Sequence, residues 1–224
     1  MLFDIDGTLM RGAGSHHKQA LIEGIRRVTG VDTHLDGVPT SGTLDRDLIT
    51  IMLRVAGYGE RRIRASLRQI MSETQNCYVD RCQIDLSPFV CTGVREFISE
   101  VSERGAVLGL VTGNLSQIGW RKVELAGLRS YFSLGAFAED GRTRARLARV
   151  ARHRAVRARL VTKDCPVTLI GDHANDVEAA QTNGFQSVAV ATGVMPLEEL
   201  RTLRPDFLVR DLRELDPQIA FQKK

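Results

Sequence analysis

Aromatic residues are scarce in this chain of 224, at 5%, and lysine is scarcer: of 31 basic residues only Lys18, Lys122, Lys163, Lys223 and Lys224 are lysines. So few rings mean a core that is mostly aliphatic. The four cysteines, Cys77, Cys82, Cys91 and Cys165, form no C-x-x-C pair and stand at no zinc-finger spacing with histidine. That excludes the patterns of a redox dithiol or a structural zinc site and fits reduced thiols. No apolar run of about 18 residues occurs, so no membrane-spanning helix and no membrane partner is expected. The opening MLFDIDGTLM carries two carboxylates where a secretory signal needs a basic start and an apolar stretch. The chain is therefore expected to start at or near Met1 and to be cytoplasmic.

What is present is ordinary for a compact globular protein, 43% hydrophobic and 26% charged, and long enough for one to two domains at roughly 150 residues each. The net charge of +4 and pI of about 9.1 favour anionic partners modestly and say nothing of fold.

Met1-Leu2-Phe3 reads as a short strand breaking into an Asp-x-Asp-Gly-Thr turn. From His16 to about Cys82 the apolar spacing is helical, with Leu21, Ile25 and Val28, then Leu48, Ile51, Met52 and Val55, recurring at helical intervals. Stop signals at Gly30, Pro39 to Gly42 and Gly57 to Gly59 divide this stretch into three or four helices. After Pro88 helices and buried strands alternate: Val94 to Arg104 helical, Ala106 to Val111 extended, Ser116 to Ala126 helical and Tyr131 to Ala138 extended. A basic helix to about Val156, the strand Val167 to Ile170, a helix from Asp176 to Thr182 and the strand Ser187 to Ala191 follow. Leu197 to Leu203 reads as a helix and Phe207 to Val209 as a last extended piece. The alternation predicts an α/β fold, a doubly wound parallel sheet with an inserted all-α module. The expected division is 1–13 with 86–224 as the core and 14–85 as the helical module.

In open sheets of this kind the ligand site lies at the carboxyl ends of the strands. Three polar turns follow strands there: Asp4-Ile-Asp-Gly-Thr-Leu, Thr112-Gly-Asn and Gly171-Asp-His-Ala-Asn-Asp176. Gly7 permits a sharp turn that brings Asp4 and Asp6 to the sheet edge, and Asp172 joins them. Such an oxygen-rich set suits a hard cation, and Mg²⁺ is the one expected. One carboxylate can attack phosphorus while its neighbour moves a proton. Thr112 supplies a hydroxyl, and the amides around Gly113 and Gly7 can cradle phosphate oxygens.

DIDGTL at 4–9, LVTGN at 110–114 and IGDHANDVEAA at 170–180, in this order across nearly the whole chain, resemble the haloacid dehalogenase-like superfamily. The match is to its phosphatase branch, with the helical insert where the C1-type cap sits. The resemblance implies that Asp4 is a nucleophile forming an aspartyl-phosphate and Asp6 the general acid/base, which the dehalogenase branch lacks. It implies Asp172 as the main additional Mg²⁺ ligand beside Asp4 and Asp6, Asp176 supporting the metal shell, and Thr112 and Gly113 holding the phosphoryl group. A small phosphorylated metabolite is the implied substrate, phosphoglycolate the nearest guess, with a β-phosphoglucomutase-like phosphomutase as the alternative.

The sequence departs from the family in the basic residue that neutralises phosphate, usually a lysine. Two candidates remain: Arg144, expected in the loop after the strand ending at Ala138, and Lys122, ten positions past Thr112 and two or more helical turns down. Arg144 is favoured. Three residues ahead of Asp4 are few for a central strand; further N-terminal apolar residues are expected to raise the melting midpoint. The run Arg142 to Arg159 is read as a solvated peripheral helix, nucleic acid being an improbable partner without interleaved aromatics. A non-catalytic polyanion-binding protein of the same fold is the rival of another class. His173 is either a substrate contact or an exposed helix start, and His16-His17 diverge on a helix and hold no metal. The turn 42–46 is a place for substrate-contacting groups, or Thr43 an N-cap.

Overall fold

The computed structural model describes residues 1–12 and 14–221; Ala13, at the expected domain junction, lies outside them. β1 (Leu2–Phe3) leads into a turn and then a helical insertion. The insertion holds α1 (His16–Thr29), α2 (Asp45–Val55) and α3 (Glu60–Arg81). The rest alternates: α4 (Val94–Glu103), β2 (Leu108–Val111), α5 (Ser116–Leu125), β3 (Phe132–Ala136), α6 (Arg144–Arg157) and β4 (Thr168–Gly171). It ends in α7 (Ala174–Asn183), β5 (Gln186–Val190), α8 (Leu197–Thr202) and β6 (Phe207–Val209).

The six strands run parallel in the order β3-β2-β1-β4-β5-β6, so the direction of winding reverses at β1 and β4, where a crevice opens at their carboxyl ends. β1 is as short as expected, yet both its residues pair on both sides, Leu2 with Gly109 and Leu169, Phe3 with Leu110 and Ile170. Asp4 N extends the pairing to Ile170 O at 3.0 Å. Side chains alternate between faces. Leu2, Leu134 and Leu169 pack with Leu147, Ala151 and Ala180 of α6 and α7. Phe3, Leu110 and Ile170 pack with Val94, Phe97 and Val101 of α4, where Phe3 stands edge-on to Phe97 and Phe132. Leu21 and Ile25, Leu48 and Met52, and Ile63 and Ile70 form the centre of the three-helix insertion. All four cysteines are free thiols, and among the described residues no helix is long and apolar enough to cross a membrane.

Arg144 is not in a loop. It is the first residue of α6, whose N-cap Thr143 accepts from Arg146 N through its side chain. A cation at a helix N-terminus opposes the helix dipole; two carboxylates, described below, offset that. The arginine-rich α6 is peripheral only on one side, since Leu147, Ala148, Ala151 and Ala155 are buried.

Candidate active site

Asp4 follows β1, Thr112 follows β2 and Asp172 follows β4, while Asp176 sits in the first turn of α7, so residues from three sequence-distant segments meet at the crevice beneath the insertion. One carboxylate oxygen each from Asp4, Asp172 and Asp176 lie within 4.8 Å of one another, all three side chains buried. Arg144 Nη1 donates to Asp4 Oδ1 at 3.1 Å and to Val111 O at 3.2 Å. Its Nε lies 3.1 Å from Asp176 Oδ1, an ion contact without hydrogen-bond geometry, so that both Asp176 oxygens are buried without a donor.

One guanidinium touches two of the three carboxylates, Asp4 and Asp176, and leaves Asp172 without an ion pair to it; buried charge that is incompletely paired is costly. Burial, and then the charge of Asp4, pushes Asp172 up to about 7. Burial raises Asp4 despite Arg144 and raises Asp176 still more. Burial alone would lower the Arg144 pKa, but Asp4 and Asp176 raise it. Three clustered buried carboxylates, one of them with neither oxygen given a donor, and an excess of negative charge are the chemistry of a hard divalent cation site. Asp4, Asp172 and Asp176 fit Mg²⁺.

Asp6 does not join this cluster. Its carboxylate turns to Lys122 Nζ, 2.7 Å from both oxygens, and to Asn114 Nδ2 at 2.8 Å. Burial works to raise its pKa, but Lys122, its hydrogen bond and that of Asn114 hold it below the ordinary value. Lys122 is buried while the Asp6 side chain is 47% exposed to the cavity. The expected basic candidates thus occupy different places, Arg144 against Asp4 and Lys122 against Asp6. The Gly7 amide, expected to cradle phosphate, instead donates to Met10 O at 2.7 Å, closing the turn after Asp6. The Gly113 amide has no acceptor among the described residues. Thr112 Oγ1 accepts from Asn114 N at 3.4 Å, and the Thr112 hydroxyl works to lower the Asp4 pKa against burial.

Two glycines make the Asp172 position possible. A Cβ on Gly7, at φ +88°, would fall 2.3 Å from Asp172 Oδ2, and one on Gly193 would fall 1.6 Å from it. Gly193, Asn114, Thr8 and His17 escape sequence reasoning. Thr8 Oγ1 donates to Asp172 Oδ1 at 3.1 Å, and His17 lies 3.2 Å from Lys122 across 105 positions of sequence. For Asn114 and Thr8 the signal was their place in the second and first turns; for Gly193 and His17 no local pattern exists. His173 is the N-cap of α7, its Nδ1 accepting from Asn175 N, and it packs against Gly42 of the insertion. Thr43 is not an N-cap; it donates to Pro39 O, and Leu44 precedes α2.

The site cavity of about 470 Å³ is roofed by the insertion, with His17, Thr43, Leu48 and Tyr78 above and Asp4, Asp6, Thr112 and Asp172 below. A second cavity of about 540 Å³ lies at the opposite end of the sheet, against Leu2, Leu134 and Val167, away from the carboxylates. The insertion is anchored to the core: Leu115 N donates to Asp45 Oδ2, Gln117 N to Gln75 Oε1 and Asn175 Nδ2 to Gly42 O, each at 2.8 Å.

A doubly wound sheet with a helical cap over an aspartate cluster at its switch point defines a class of capped α/β hydrolases. The family model for haloacid dehalogenase-like hydrolase matches residues 1–181, and the chain belongs to that family. Its acidic cluster is suited to a divalent metal. A protein of Caldanaerobacter subterraneus subsp. tengcongensis, provisionally named pyrophosphatase PpaX, is 25% identical over 154 residues, 66% of each chain. The match thus spans just under two thirds of that relative's length. Among solved structures, β-phosphoglucomutase from Clostridium difficile shares the fold with TM-score 0.69 at 18% identity, over 98% of this chain and 95% of that one. A Haemophilus somnus 129PT protein, described as a predicted phosphoglycolate phosphatase, gives 0.66 at 16%, over 96% and 94%.

Proposed function

We propose that this chain is a Mg²⁺-dependent phosphomonoester hydrolase that acts on a small phosphorylated metabolite through an aspartyl-phosphate on Asp4. The observation that carries the proposal is the division of labour between Asp4 and Asp6. Asp4 is buried, grouped with Asp172 and Asp176 and touched by Arg144; Asp6 is open to the cavity and paired elsewhere. An oxygen of Asp4 attacks phosphorus as the bond from phosphorus to the leaving oxygen breaks, and Asp6 delivers a proton to that oxygen. Asp6, ionised in the protein alone, takes up that proton from solvent as the substrate's negative charge enters the cavity. Afterwards the Asp6 carboxylate removes a proton from the water that attacks the phosphorus of the aspartyl-phosphate, as the bond from Asp4 to phosphorus breaks, freeing the Asp4 carboxylate and inorganic phosphate. Arg144, the Thr112 hydroxyl and the Gly113 amide bind phosphoryl oxygens. Mg²⁺ held by Asp4, Asp172 and Asp176 would supply charge neutralisation at the phosphoryl group. The cap excludes bulk water during the first step.

A second reading, a β-phosphoglucomutase-like phosphomutase, places a substrate hydroxyl where water would act. The shared fold with β-phosphoglucomutase supports it. This likeness supports the mutase more directly than anything supports phosphoglycolate as the substrate. Phosphate release from phosphoglycolate, pyrophosphate and sugar phosphates, with and without Mg²⁺, tests both readings in wild type and Asp4→Asn. Mg²⁺-dependent release that the variant loses is the expected outcome. Interconversion of sugar phosphate isomers without release would select the mutase. Salt-sensitive oligonucleotide binding with neither activity would leave the binding-protein rival.

A further inference from the structure

We infer that His17, carried to the core by the first cap helix, is a positioning residue that holds Asp6 in its working orientation only while the cap is seated; the inference rests on the acid/base role proposed for Asp6. Lys122 Nζ has three N–H donors and no acceptor. It lies 2.7 Å from both Asp6 oxygens, and 3.2 Å away is His17 Nδ1. An ammonium only donates, so Nδ1 accepts and the ring proton resides on Nε2. That nitrogen faces Asp45 Oδ2 at 3.0 Å.

Asp45 in turn binds the core twice, accepting from Leu115 N and donating from its own amide to Gly113 O, both at 2.8 Å. Leu115 adjoins Asn114, whose Nδ2 donates to Asp6 Oδ2. The contacts close a ring, Asp6 to Lys122 to His17 to Asp45 to the 113–115 loop and back to Asp6. Only His17 and Asp45 come from the cap. Tyr78 of α3 holds the imidazole edge-on, ring centroids 5.9 Å apart. Lifting the cap withdraws His17 and Asp45 together, leaving a long, rotatable lysine chain with one of its three donors unanchored. The Asp6 carboxylate is then fixed by Asn114 and an unanchored ammonium, and the proton transfer loses alignment.

The experiment compares single-turnover phosphorylation of the enzyme by an alkyl phosphate, whose leaving group needs a proton, and by 4-nitrophenyl phosphate, whose leaving group does not. His17→Ala should lose about tenfold or more on the alkyl ester and less than about threefold on the aryl ester, within the reach of general acid catalysis. The loss should vanish in the Asp6→Asn background, because His17 acts through Asp6. His17→Gln, which keeps bulk and a donor toward Asp45 but offers Lys122 no acceptor at the Nδ1 position, should show the same selectivity with an unchanged melting midpoint. Equal losses on both esters, or an undiminished loss beside Asp6→Asn, would overturn the inference. If Asp6→Asn itself shows no preference for the aryl ester, the acid/base reading of Asp6 fails, and the inference with it.

Discussion

Asp4 and Asp6 stand two positions apart and live in opposite surroundings. Asp4 adds negative charge to a cluster already over-supplied with it, whereas Asp6 is the counter-ion of buried Lys122. Asp4→Asn should abolish turnover and leave the fold intact, with a midpoint in EDTA unchanged or a few degrees higher. Asp6→Asn should allow slow phosphorylation at best and lower stability by about 1–2 kcal/mol, less than for a fully buried pair because Asp6 is half exposed. Thermal melts beside phosphate assays decide both; comparable activity in either variant would remove the mechanism. Arg144→Ala should cost kcat/KM about 10²–10³-fold, as loss of an oxyanion donor does, and more than Lys122→Ala. Equal, small losses would mean that neither neutralises phosphate. Gly193→Ala forces a Cβ onto Asp172; weaker Mg²⁺ binding by calorimetry, with the fold retained by circular dichroism, is the expected result.

Among the elements, α6 carries two jobs on two faces. Its buried side, Leu147, Ala148, Ala151 and Ala155, packs the helix against the sheet, so Leu147→Ala should cost about 2–4 kcal/mol in denaturant unfolding. Several of its arginines have partners within the fold: Arg154 binds Gly135 O and Asp140, and Arg152 donates to Lys163 O. The exposed Arg146 and Arg157 lie outside the site, and replacing both with glutamine should leave turnover within about twofold. The apolar spacing foretold nearly every helix and strand after Pro88, because a two-sided parallel sheet prints a strong pattern into its sequence. Arg144 was expected in a loop and instead begins α6, because the Thr143 cap that starts the helix is a single hydrogen bond and leaves no periodicity.

At the scale of the whole molecule, cap and core share one buried electrostatic site. Asp172, pushed from 3.8 up to about 7, binds its proton more tightly folded than unfolded. Its contribution to stability is present at low pH and lost as pH rises through about 7. In EDTA the midpoint should therefore fall between pH 5 and 8. Saturating Mg²⁺ should raise it, stabilising the fold by about 2.7 kcal/mol at a hundredfold excess over Kd, and should flatten or invert the trend. A midpoint in EDTA that rises across that window would contradict the shared-charge account of the cluster.

Three turns, each an aspartate or threonine pattern at the end of a strand, made the parallel sheet and the candidate residues Asp4, Asp6, Thr112, Asp172 and Asp176 legible from sequence, since local chemistry and strand order suffice to bring them to one edge. Which carboxylates group together was a tertiary matter. Asp6 leaves the cluster because Lys122 reaches it from α5 across 116 positions. Gly193 yields space to Asp172, and His17 and Asp45 reach the core only because the cap helices pack over it. Contacts of that range leave no periodicity in the chain, and only the folded backbone decides them.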